Sequence, residues 1–212
     1  HGYGGIWGGA HLSAYHNLFA HCISRNPRFN GARLGAKEEL VDFQNNVVYN
    51  WQNKAIYGGE FGKYNIVNNY FKPGPSTKPS AANNFLDPSK TDVLPYGQYF
   101  VVGNMIEGNK GVNRDNMMGV TTIPVPGVYI NQPHAVIDLP KEGADMAYQS
   151  IIKKVGASFQ RDEMDDRIIR EMLSGKGKII DVQGGFPHGT AYEKSKGAWP
   201  VLKATASLPD HD

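Results

Sequence analysis

Cysteine is all but missing. Cys22 is the sole one among 212 residues, which excludes an intrachain disulfide framework. Set beside His21 in an apolar stretch, it reads as a small buried hydrophobe. Long hydrophobic runs are missing too: nothing approaches the ~18–20 apolar residues of a membrane span, and no secretory signal is visible at His1. Nor is charge of one sign in excess, since 22 Lys and Arg face 20 Asp and Glu for a net charge of +2. That balance gives no support to a nucleic-acid partner and only permits a polyanionic one. What the chain has in quantity is punctuation. Its 25 Gly and 13 Pro suit many short strands joined by turns, in a length sufficient for one substantial core.

An Asn-centred pattern recurs along the first half. Tyr15-His16-Asn17-Leu18-Phe19 is echoed by Phe43-Gln44-Asn45-Asn46-Val47-Val48, by Ile66-Val67-Asn68-Asn69-Tyr70-Phe71 and, more weakly, by Val101-Val102-Gly103-Asn104-Met105-Ile106. The last Asn of each copy falls at 17, 46, 69 and 104, at intervals of 29, 23 and 35 residues. Near-periods of this size mark stacked repeats, in which one unit cannot bury its apolar side alone. The Val, Ile, Tyr and Phe around each Asn read as short strands. Stacked coils with an Asn at one fixed corner make a parallel β-helix, where side-chain amides hydrogen-bond along the stack. The predicted class is therefore all-β, a single-chain solenoid.

The organisation changes along the chain. Residues 1–130 read as coils of the solenoid, interrupted near 73–97 by a loop rich in Pro, Ser, Asn, Lys and Asp; long loops in compact domains are usually functional or mobile. Residues 131–212 read as a tail with two helices. Ala144–Val155 has helical apolar spacing closed by Gly156, and Asp162 caps a second helix with acidic residues in its first turn and Gly175 after its end. Both helices are assigned to covering the solenoid, whose strands need such protection. Lys178-Ile179-Ile180-Asp181 is a candidate last strand.

Ser24-Arg25-Asn26-Pro27-Arg28-Phe29 places two arginines about a proline directly after a strand. Proline fixes its own φ and restricts Asn26, so both guanidinium groups project from stiff backbone, and each offers a planar fork that matches a carboxylate. The same arginines would serve equally to cap carbonyls or to pair with Glu38 and Glu39. Together with HGYGGIWGG (1–9), HNLFAH (16–21), FQNNVVYNW (43–51), YGGEFGKYNIVNNY (57–70), KPGP (72–75) and DEMDDRIIREMLSGKGKIID (162–181), the motif resembles the bacterial pectate lyases of polysaccharide lyase family 1. The resemblance covers most of residues 1–185. It implies a right-handed parallel β-helix that cleaves α-1,4-linked polygalacturonate by calcium-dependent β-elimination. It also makes the chain read as a C-terminal piece of a longer enzyme, secreted or periplasmic because pectin is an outer-wall polymer, and monomeric.

In that family the first Arg of Arg-x-Pro-x-x-Arg removes the C5 proton of galacturonate, and Arg25 holds the position here. The motif's final Arg would fall at Asn30, which leaves Arg28 or Arg33 to contact the substrate carboxylate. A free guanidinium titrates above ~12, so the resemblance implies that bound calcium acidifies C5 and that the pH optimum is alkaline. The calcium ligands are expected upstream of residue 1, since no Asp or Glu cluster in 1–130 replaces them. Counting eight residues from the corner Asn takes Asn17 to Arg25 and Asn46 to Lys54, one strand spacing of ~4.8 Å apart if the register holds; Lys54 is thus a candidate contact for the next uronate. Tyr57, beside Gly58-Gly59, is the aromatic most exposed for sugar stacking, Lys63 a weaker cationic candidate, and Glu60 a carboxylate for a structural hydrogen bond. His16 and His21 are expected within strands, in core or stacking roles. A non-catalytic β-helix that binds acidic polysaccharide is the alternative. A polygalacturonase-type hydrolase needs converging carboxylates, where this turn carries arginines.

Overall fold

The computed structural model describes residues 2–35, 38–121, 125–140 and 142–179, all within the compact unit His1–Asp181. Twelve short strands make four coils. The first coil is β1 (Ile6–Trp7), β2 (Leu12–Tyr15) and β3 (Leu18–Ala20); the second is β4 (Arg28–Phe29), β5 (Leu40–Gln44) and β6 (Val47–Tyr49). The third is β7 (Ile56–Gly58), β8 (Lys63–Val67) and β9 (Tyr70–Lys72); the fourth is β10 (Leu86–Pro88), β11 (Gln98–Val102) and β12 (Met105–Ile106). Equivalent strands stack in parallel into three sheets, a front sheet β1-β4-β7-β10, a second sheet β2-β5-β8-β11 and a third sheet β3-β6-β9-β12. This is a right-handed parallel β-helix.

The Asn repeat is the corner between the second and third sheets, so each copy is strand, Asn, strand. Asn17 donates from both its backbone N and Nδ2 to Asn46 Oδ1, at 2.9 Å each. Asn46 does the same to Asn69, Asn69 to Asn104 and Asn104 to Asn116, at 2.8–3.1 Å. Asn116 closes the ladder from a short 3₁₀ turn (Asn116–Gly119) that follows α1 (Lys110–Arg114). The residue before each ladder Asn is left-handed, with φ of 56° at His16, 52° at Asn45 and Asn68, and 69° at Gly103. Short polar residues and Gly tolerate that region, which is why the copies read His-Asn, Asn-Asn and Gly-Asn. His16 and His21 (φ 58°) therefore lie on corners and not within strands as expected. Removing an interior rung strands several buried groups at ~1–3 kcal/mol each. Asn69→Ala is expected to lower unfolding free energy in urea by about twice as much as Asn17→Ala at the end of the described ladder.

The interior is filled by aromatic stacks along the axis. Phe29, Tyr64 and Tyr99 stack at 4.6 and 4.8 Å, and Phe71 and Phe85 at 5.0 Å. Trp51 is fully buried and donates to Ala81 O, which ties the loop after β9 to the coil; the 73–97 stretch expected as loop throughout is interrupted by strand β10 of the front sheet. Helix α2 (Ala144–Lys154) and helix α3 (Glu163–Ser174, capped by Asp162 and ended by left-handed Gly175) cover the third sheet. Tyr148, Ile151, Ile169 and Met172 pack there on Val47 and Tyr49. The corner histidines hold this cover: His16 Nε2 is 3.2 Å from Glu142 and His21 Nε2 is 2.9 Å from Glu171. Lys178 and Ile179 form no strand, and Ile180 and Asp181 lie outside the described residues.

Residues 131–140 cross the outside of the second sheet, fastened where Asn65 exchanges two hydrogen bonds with the His134 backbone at 2.9 and 3.0 Å. In register beside Asn65, Asp42 is fully buried. Gln44 donates to its Oδ2, while Oδ1 has no well-formed hydrogen bond. Burial pushes the Asp42 carboxyl up, against the opposing hydrogen bonds of Gln44 and Asn65. A carboxyl raised in the folded state stabilises most below its unfolded value near 3.8, and that stability is lost as pH rises through the folded value. Asp42→Asn is expected to be more stable than the parent at neutral pH, with the difference shrinking on acidification; a urea midpoint measured across pH checks it.

Candidate functional site

The outer face of the front sheet brings most of the candidate residues together. Register aligns Ile6 with Arg28, Arg28 with Tyr57, and Tyr57 with Asp87 on successive coils. The same offset between the second and third coils continues upstream, where Asn26 N donates to Ala55 O at 3.0 Å and Asn26 Nδ2 to Lys54 O at 3.2 Å. Lys54 therefore stands beside Arg25, as the Asn count anticipated. On the other side, Gly5 N donates to Arg25 O at 2.8 Å, which brings Tyr3 alongside.

Arg25 occupies the left-handed region (φ 64°) ahead of a cis Asn26–Pro27 peptide. Its guanidinium lies 4.4 Å over the Tyr3 ring, and its buried Nε has no hydrogen-bond partner. No ion pair engages it among the described residues. The other cations are committed. Arg28 Nη2 meets Glu60 Oε1 at 2.6 Å and Nη1 meets Oε2 at 3.4 Å, with the Arg28 and Glu60 side chains only 13% and 3% exposed. Arg33 holds Asn30 O at 2.9 Å and lies 3.7 Å from Glu60. Lys54 pairs with Asp87, which also accepts from Thr121 Oγ1. Half-buried Tyr57 lies between two cations, 5.4 Å from the Arg28 guanidinium and 5.3 Å from Lys54 Nζ.

Backbone makes this arrangement possible. A Cβ on Gly58 (φ 97°) would lie 2.5 Å from both Arg28 Nη1 and Phe29 O, so only glycine lets the Arg28 side chain pass over β7 to Glu60. Two expectations change as a result. The fork of Arg28 is filled by Glu60 from its own chain and is not open to a substrate carboxylate, and Arg33 is turned onto Asn30. The alternative pairing with Glu38 or Glu39 is also replaced: buried Glu39 accepts from Gly31 N at 2.8 Å and from Tyr64 Oη at 2.6 Å. Glu60 is the structural carboxylate anticipated. Lys63 lies apart, exposed at the start of β8. Tyr3, 41% exposed, is an aromatic that the sequence ranked behind Tyr57 for sugar stacking; its place opposite Arg25 follows only from pairing the first coil.

Among the described residues no group of three His, Cys, Asp or Glu side chains converges to hold a metal ion, and Glu60 and Asp87 are tied to cations. These residues do not by themselves fit a calcium site.

Fold and site together define a parallel β-helix with a strip of cations and aromatic rings on one sheet. No family model matches the chain. It is 30% identical to a probable pectate lyase C of Aspergillus terreus, over 88% of this chain and 46% of that protein. It is 28% identical to one of Emericella nidulans, over 94% and 44%, and 30% identical to one of Neosartorya fischeri, over 80% and 39%. Over most of its length the chain is thus similar to fungal proteins of the pectate lyase family. It spans a little under half the length of these relatives, which are fungal and not the bacterial lyases that the motifs suggested. No helix among the described residues is long and apolar enough to cross a membrane.

Proposed function

We propose that the protein cleaves α-1,4-linked polygalacturonate by β-elimination with Arg25 as the base. The observation that carries this reading is the contrast on the strip: Arg28, Arg33 and Lys54 are each held by a carboxylate, whereas Arg25, stacked on exposed Tyr3, has none among the described residues. A base must reach its proton without a competing intramolecular partner. In the reaction Arg25 takes the C5 proton, the C5–H electron pair becomes the C4–C5 double bond, and the C4–O bond breaks. The leaving oxygen gains a proton to close the new reducing end, and no water is consumed. Tyr3 and Tyr57 offer ring faces for the sugars. Lys54, half exposed and shared between Asp87 and Tyr57, is the cation that exchanges most readily onto an adjacent uronate. Dependence on calcium and action outside the cell belong to the same proposal.

Ultraviolet absorbance of unsaturated product from polygalacturonate at alkaline pH, with calcium and with chelator, tests it. Product that appears with calcium and stops with chelator supports the lyase. Retention on polygalacturonate with no product under any condition would replace it by a binding module.

A further inference from the structure

We infer that the protein has a second saccharide site, behind the Gly58–Gly62 turn and separate from the Arg25 strip, that takes a carboxylated sugar. The inference rests on the polyuronate reading above. A groove of about 530 Å³ opens there, walled by Phe61, Lys63, Pro95, Tyr96, Gln98 and Val125. Phe61 is the first sign of function. It is a non-glycine residue held at φ 60°, a region that bulky side chains avoid, yet its ring is 47% exposed and so is not kept there by core packing. The surrounding backbone imposes the conformation, since Phe61 N donates to Pro95 O at 2.9 Å and Gln98 N to Gly62 O at 2.8 Å. Residues held in sparsely populated backbone regions cluster at active sites and ligand clamps.

The charge around the groove has one sign. Lys63 and Gln98 are register partners at the first rung of β8 and β11, both exposed. Lys90 lies 5.5 Å over the Tyr96 ring, and among the described residues none lining the groove is a carboxylate. Aromatic faces take the apolar face of a pyranose, ammonium groups its carboxylate, and the Gln98 amide a hydroxyl. The groove is built into the catalytic side of the fold through Glu60. Its carboxylate holds Arg28 on the strip, while its backbone bridges Tyr96.

The test is affinity electrophoresis of the purified protein through gels containing polygalacturonate or dextran, with Phe61→Asn and Lys63→Gln. Asn favours the left-handed region, so Phe61→Asn removes the ring without unfolding the turn, which an unchanged or raised Tm confirms. Each variant is expected to weaken retardation by polygalacturonate about three- to fivefold, with no retardation of any form by dextran. Retardation unchanged in both variants, or absent in the parent, would overturn the inference. Unsaturated product is assayed on the same samples. Product with no effect of either substitution on binding keeps the lyase and removes the groove; binding through Phe61 and Lys63 with no product keeps the groove and removes the lyase.

Discussion

Replacing Arg25 with alanine is expected to lower kcat on polygalacturonate by about 10²–10⁴-fold, the range for a general base, while KM changes little. A base acts only as the proton leaves, so its loss falls on kcat; a residue that merely held a carboxylate would raise KM and spare kcat. The fold should tolerate the change. Arg25 makes no ion pair among the described residues and its main contact is the Tyr3 ring, worth about 0.5–1 kcal/mol at an exposed site. Arg25→Lys separates the two roles further: it keeps a positive charge but loses the planar fork. Near-complete loss of kcat in Arg25→Lys with retained binding is expected. A raised KM with kcat intact would move Arg25 from base to substrate contact, and Lys54 would become the next residue to test.

The largest effect on stability is expected at Glu60. Removing one partner of a buried ion pair leaves the other charge uncompensated and costs about 3–5 kcal/mol. Glu60→Gln strands Arg28, whose side chain is 13% exposed, and frees Arg33 as well. Urea unfolding at neutral pH should show that loss. Arg28→Met combined with Glu60→Gln should be markedly less destabilising than the two single losses added together. Additivity within experimental error would mean that the two side chains do not act as a pair. Activity offers an independent check, because a released Arg28 no longer fixes Tyr57 beneath the strip and KM should rise before kcat falls.

How much of this was legible follows from how far apart the interacting residues are. The ladder could be read because one side chain does one job on every coil, so its chemistry recurs in the chain. The Lys54–Arg25 neighbourhood followed from the same count. The Arg28–Glu60 pair is 32 residues apart with no recurring partner on other coils, and nothing in the motif announces it. The corner histidines were misread because their apolar neighbours suggest strand, whereas the backbone requirement at His16 and His21 is for a left-handed turn. Both helices were evident from caps and spacing, and Asp162 does accept from the Met164 and Asp165 backbone. The path of 131–140 over the second sheet was not, because its contacts to Asn65 run through backbone and carry no residue signature.

The ladder intervals of 23 and 35 residues carry a consequence for how such a protein can change. Successive rungs bond identically although the second span includes the loops on either side of β10, at 73–85 and 89–97, so added length is absorbed at the rim and is not transmitted to the ladder. Excursions of this kind are interchangeable cassettes. Exchanging one of them leaves Arg25, Lys54 and Tyr57 in register, so on the proposed reading polymer preference can be altered at the rim without disturbing the spine.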